Sequence, residues 1–223
     1  VYTYGSVAEA FEPYLDLQFG RVPFDSVAHD AGGLPELEGL DEAVRRFGRE
    51  VREAGLAVTP TLVAFDRIVA ATTDEIGARM DAPEMAWVHP ARRVSWGPRF
   101  NPYRTGGWAE RLDLMSAVLE RSHRLQMRMV GALRDEGARV LAGTDAPLAL
   151  VVPGVSLHDE IELLAASGLT PWEALRAATV EAAREAGLDG EVGTIEEGRV
   201  ADLVLLDADP LADAGAVRRV AGV

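Results

Sequence analysis

The sequence predicts an α/β fold, on three observations. Short β-prone apolar runs recur at residues 24–28, 56–64 and 138–142. Segments of helical period follow them, which is the grammar of parallel β/α units. The third run leads at once into Gly143-Thr144-Asp145-Ala146-Pro147, a carboxylate placed where α/β folds hold their ligands.

Each element has its own signal. Residues 1–3 read as a strand remnant and 7–17 as a short helix; 30–39 is a loop punctuated by Gly32-Gly33. Residues 41–54 form a helix, with Val44, Phe47 and Val51 at helical spacing and Gly55 as its stop. The run 56–64, LAVTPTLVA, has the length of a buried strand, and 70–77 reads as a short helix. Residues 80–107 hold Trp87, Trp96, Phe100, Tyr103 and several prolines without a clean period, which suits a lid or binding loop, or a loop packing its rings against the body. Residues 108–136 predict one long helix with Leu112, Met115, Leu119, Ser122 and Leu125 on one stripe. After the strand at 138–142 come helices at 157–167 and 171–186, the second opened by Thr170 as N-cap, Pro171 at N1 and Glu173 in the first turn. Strands are expected at 192–195 and 200–206.

Composition bounds the function. The chain has 223 residues, 36 acidic against 22 basic, and a net charge of −14. With 48% apolar and 26% charged residues it is a globular chain, not a disordered one. Its acidity opposes nucleic acid and anionic membrane surfaces, whose affinity rests on Lys and Arg. There is no Cys, so no disulfide and no thiolate metal site; there is no Lys, so no Schiff-base chemistry. Any metal must use carboxylates and His29, His89, His123 or His158. No apolar run reaches the roughly 20 residues of a membrane span. The chain opens on Val, and its start is expected to be missing, which leaves the compartment open and leans to the cytoplasm.

Asp145 is the first candidate for chemistry: a carboxylate after a strand can bind a metal, move a proton, or simply cap the next turn. His29 follows the run at 24–28 and reads as a second metal ligand or a solvated loop histidine. Thr61, near the end of the second run, and His89 and Tyr103, in the aromatic segment, are candidate substrate contacts. His158 suits a structural place near a helix N-terminus, and His123 a surface or partly buried one within the long helix. Spacing alone stops at one Asp and one His on a common face.

The second half resembles the amidohydrolase superfamily, its imidazolonepropionase-like and prolidase-like branch. The resemblance is carried by VLAGTDAP from Val140, PGVSLHDEIELL from Pro153, ASGLTPWEALRAAT from Ala166 and GTIEEGRVADLVLLDADPL from Gly193, in that order. Asp25-Ser26-Val27-Ala28-His29 and the run after Gly55 agree more loosely. The resemblance implies a metal-bearing (β/α)₈ TIM-type barrel with a small β-sandwich, and hydrolysis of amide, cyclic amide or peptide-like carbon–nitrogen bonds of a small molecule. It implies a divalent metal, zinc above others, that activates a water, with Asp145 as metal ligand and proton shuttle and His29 as metal ligand.

This chain departs from that pattern. No two His stand two residues apart, the bridging lysine of some members is impossible without Lys, and Val180-Glu181-Ala182 replaces the usual Asn-Pro-Ala. The expectation is therefore the back part of a longer protein, with an incomplete ligand set and an incomplete barrel. Residues 1–190 would hold about the sixth to eighth strands, with an aromatic insertion at 80–107, and residues 191–223 would hold sandwich strands. Such a part would expose apolar faces and associate with copies of itself. A non-catalytic remnant acting as an interaction domain is the alternative function.

Overall fold

The computed structural model describes residues 41–105, 109–110 and 112–223. The elements expected over residues 1–39, together with His29 and Trp108, lie outside the described residues. Helix α1, Asp41–Glu53, turns Val44, Gly48 and Val51 inward and carries Asp41 and Glu42 in its first turn and Arg52 in its last, both matched to the helix dipole. Gly55, in the left-handed region at φ 67°, ends it as expected, and the Leu56 N–H closes onto the Val51 carbonyl at 3.2 Å.

Two parallel strands follow in space: β1, Ala57–Val58, and β2, Arg139–Val140, with Ala57 opposite Arg139 and Val58 opposite Val140. The Leu141 N–H extends the ladder to the Val58 carbonyl at 2.8 Å. The first strand is much shorter than the run 56–64 suggests. Pro60 cannot donate to a ladder, Thr61 turns left-handed, and helix α2, Leu62–Thr72, begins at once. Leu62, Val63, Ala64, Ile68, Ala70 and Ala71 are all buried, so α2 is apolar nearly all round and lacks the polar face that marks a helix in sequence. The short helix expected at 70–77 is instead the end of α2 and, after a break, α3, Glu75–Met80.

The aromatic segment is built rather than irregular. It holds a 3-10 turn Pro83–Trp87, helix α4, Pro90–Trp96, and a 3-10 turn Pro102–Arg104. Helix α5, Leu112–Asp135, brings the chain back to β2; it starts later than expected, after a turn at Ala109 and Glu110. Gly48 marks its contact with α1: a Cβ there would lie 2.8 Å from the Ala132 carbonyl oxygen.

After β2 come α6, Ser156–Ala166, α7, Pro171–Ala178, and α8, Val180–Glu185. The single helix expected over 171–186 is broken at Thr179, whose φ of −128° and ψ of −88° leave the helical region. The start of α7 is as expected: Thr170 and Glu173 form a reciprocal capping box with Pro171 in the first turn. Val51, Leu62, Leu133, Val140, Leu164 and Val217 meet in one core that ties α1, α2, α5, β2, α6 and the 3-10 turn Ala214–Arg218 together.

The strand expected at 192–195 does not form, and that at 200–206 is reduced to β3, Leu205–Leu206, paired antiparallel with β4, Val220–Gly222. Short apolar sequence makes a strand only where a partner stands beside it, and among the described residues only β4 does. Ile195, Val204 and Leu205 consequently stay exposed. No helix among the described residues is long and apolar enough to cross a membrane.

Candidate functional site

The carboxyl ends of β1 and β2 lie against each other. A Cβ at Gly143 would lie 2.4 Å from Thr59 Cγ2 and 3.9 Å from Thr61 Cγ2, so only glycine lets the two strand ends approach this closely. Each end then turns through a left-handed residue: Thr61 at φ 49° and Asp145 at φ 54°. Aspartate tolerates that conformation, whereas a β-branched threonine adopts it only when its surroundings insist.

Asp145 is exposed on a turn anchored from behind. The Leu148 N–H donates to the Asp145 carbonyl at 3.2 Å, and Leu150, Val151 and Val152 are buried just beyond it. The Ser156 hydroxyl accepts from the buried Val152 N–H at 2.9 Å, closing the loop onto α6. The Ala146–Pro147 bond within this turn is cis.

The aromatic segment reaches this face. Trp96, Met85 and Val88 pack with Leu150 and Val152 from the loop after β2 and with Ala70 and Ala71 of α2, and Tyr103 lies against the same cluster. Fully buried Asn101 fixes the turn: it donates to the Trp96 carbonyl at 3.0 Å and accepts from the Tyr103 N–H at 2.9 Å. Burial pushes the Tyr103 phenol above its ordinary pKa, and the Asp145 charge adds to the rise. Arg104 donates to the Ala71 and Thr73 carbonyls at 3.3 and 3.1 Å, holding the segment to the end of α2.

Of the residues singled out in the sequence, Asp145, Thr61 and Tyr103 are therefore brought to one face. His89 is exposed and serves α4 as its N-cap, its Nδ1 accepting from the Ala91 N–H at 3.2 Å. His29 lies outside the described residues. His158 sits in the first turn of α6, half-buried, and His123 half-buried within α5; burial lowers the pKa of both.

Sequence reasoning missed Glu160. It is completely buried, and burial pushes its carboxyl up to about 7 against the opposing pull of the Val63 and Leu62 N–H groups. Its signal is visible afterwards: Leu157, Glu160, Ile161 and Leu164 form one helical stripe, so the glutamate stands at a core position.

Among the described residues no group of three or more His, Asp or Glu side chains could hold a metal ion. A catalytic zinc takes about three protein ligands. The described residues therefore do not by themselves fit a complete metal centre; Asp145 offers one donor.

The sequence profile of the amidohydrolase family matches residues 107–221, just over half of the chain. The chain belongs to that family. It is 31% identical over 119 residues to an N-substituted formamide deformylase of Arthrobacter pascens, covering 50% of this chain and 22% of that protein. It is 40% identical over 87 residues to an imidazolonepropionase of Sphingopyxis alaskensis, covering 36% of this chain and 20% of that one. It is 44% identical over 84 residues to the imidazolonepropionase of Rubrobacter xylanophilus, covering 34% and 20%. The match thus spans about a fifth of these relatives. In fold the chain is similar to a solved Xaa-Pro dipeptidase with methionine bound in its active site, at a TM-score of 0.51 and 18% identity, over 80% of this chain and 34% of that one.

Proposed function

We propose that the whole protein hydrolyses a carbon–nitrogen bond of a small amide, cyclic amide or peptide-like substrate, and that this chain carries part of its active face. The observation that carries the reading is the placement of Asp145: an exposed carboxylate on an anchored left-handed turn, at the end of a parallel strand, in a chain of the amidohydrolase family. In the scheme, water adds to the carbonyl carbon, Asp145 accepts the water proton, the C–N bond breaks, and the proton passes to the departing nitrogen. Thr61 and Tyr103 flank this position and are assigned substrate contacts; His89, exposed in the same aromatic segment, is the third.

A divalent metal, zinc first, is the cofactor we assign to the whole protein, with Asp145 and His29 among its ligands. Because the described residues offer an incomplete donor set, no step is assigned to it. That same incompleteness favours a second reading, a non-catalytic domain acting through interaction.

The test is zinc content and hydrolysis of N-formyl amines, cyclic amides and dipeptides by the 223-residue chain, its D145N and H29A variants, and a chain extended upstream. In the chain extended upstream the expected result is about one equivalent of zinc, lost in both variants, and turnover that falls about 10²–10⁴-fold in D145N. Turnover untouched by D145N overturns the role of Asp145. Neither zinc nor turnover in any chain leaves the interaction domain standing.

A further inference from the structure

Glu160 is a buried titratable group that the proposed chemistry leaves unused. Its side chain is at 0% exposure, within the core between α2 and α6. Removing a carboxylate from water costs several kcal/mol unless its oxygens are satisfied. Oε2 accepts from the Val63 N–H at 2.7 Å, and the Leu62 N–H also reaches the carboxylate, while Oε1 is buried with no hydrogen-bond partner.

Those two N–H groups are the first of α2, donors that a helix cannot satisfy from within. The ordinary solution is a cap from the preceding side chain, and threonine is a good one. Thr61 occupies the N-cap position yet makes no such bond, because its left-handed backbone turns the side chain elsewhere. The cap comes instead from a glutamate 97 residues away in sequence. A remote cap does what a local one cannot: it ties the β1–α2 turn to α6, the helix that also anchors the loop after β2 through Ser156.

We propose that Glu160 is a positioning residue of the active face: by holding the first N–H groups of α2 it fixes the turn that lays Thr59 and Thr61 against Gly143, and so sets where Asp145 stands. The functional weight of this rests on the reading of Asp145 as proton carrier; the geometric part does not.

The test is native-state amide exchange and amide chemical shifts on the 223-residue chain, in wild type, E160A and E160Q. In E160A the Leu62 and Val63 amides lose about tenfold or more of their protection relative to Val130 in α5 and Leu164 in α6, and the Gly143 to Asp145 amide shifts move. E160Q keeps a carbonyl oxygen in place of Oε2 and restores both. Equal loss at all four amides, or Gly143 to Asp145 shifts unmoved in E160A, overturns the proposal. If E160A does not fold, E160D stands in for it: one methylene shorter, it loses the same two readouts, and its failure to do so is equally decisive. Turnover of D145N is measured alongside in the chain extended upstream; turnover unaffected there sinks the role of Asp145 as proton carrier, while the exchange data still decide whether Glu160 holds the turn.

Discussion

The Asp145 carboxylate raises the pKa of the Tyr103 phenol, although the two residues arrive on different loops, one after β2 and one at the end of the aromatic segment. The coupling gives a direct reading of whether both side chains face the same space. Removing the charge in D145N lowers the Tyr103 pKa toward the ordinary tyrosine value, but burial, the larger cause, keeps it above that value. Ultraviolet titration of D145N and wild type, with Y103F to assign the signal, measures this. A Tyr103 titration identical in the two proteins would separate the side chains.

The contact between the strand ends makes Gly143 intolerant of any side chain. G143A forces its methyl into Thr59 Cγ2 and destabilises the fold by about 1–3 kcal/mol in urea unfolding. T59S deletes that methyl, so the G143A/T59S double variant recovers much of the loss. Additive effects would show that the two residues do not meet.

Glu160 also makes stability depend on pH with an unusual sign. Its folded pKa, about 7, lies above the ordinary glutamate value of 4.5, so between the two the folded state holds a proton that the unfolded state has released. Stability from this group is full below the lower value and falls as pH rises through the upper one, by up to about 3 kcal/mol. The shift comes from burial and is opposed by two backbone N–H groups, with no charged side chain among its causes. In E160Q the slope between the two values flattens, as measured by urea unfolding across pH; an unchanged slope would assign it elsewhere.

Arg67, 3% exposed, pairs with Asp66 on its own helix and with Asp159 on α6 at 2.5 Å. Arg218 also pairs with Asp159, and with Glu162 at 2.5 Å, so one cluster joins α2, α6 and the last 3-10 turn. R67A removes the buried cation and leaves half-buried Asp66 and Asp159 with only Arg79 and Arg218, at a cost of about 2–3 kcal/mol, whereas R218A removes two more exposed pairs and costs about 1 kcal/mol or less. Comparable losses in the two variants would mean that Arg67 is not the centre of the cluster.

Much of this was legible in the sequence where a local rule decides the outcome. The Thr170–Glu173 capping box, the glycine stop at 55, and the strand turning into Asp145 all depend on residues adjacent in the chain. What escaped depends on partners far away. Helix α2 hides because burial on all sides erases its polar face, and LAVTPTLVA then mimics a strand. The run 192–195 reads as a short strand in sequence but has no neighbour to pair with among the described residues. Tyr103 and Thr61 could be guessed as residue types, but their approach to the turn that carries Asp145 follows from the packing of Trp96 on Leu150 and Val152 and from the bare Cα of Gly143.

That packing has an evolutionary consequence. The aromatic segment and the loop after β2 share one set of buried side chains, so neither can be exchanged without opening the other. Grafting a foreign loop onto this face would fail unless both were transplanted together, and new specificities would spread through relatives as matched loop pairs rather than as single insertions.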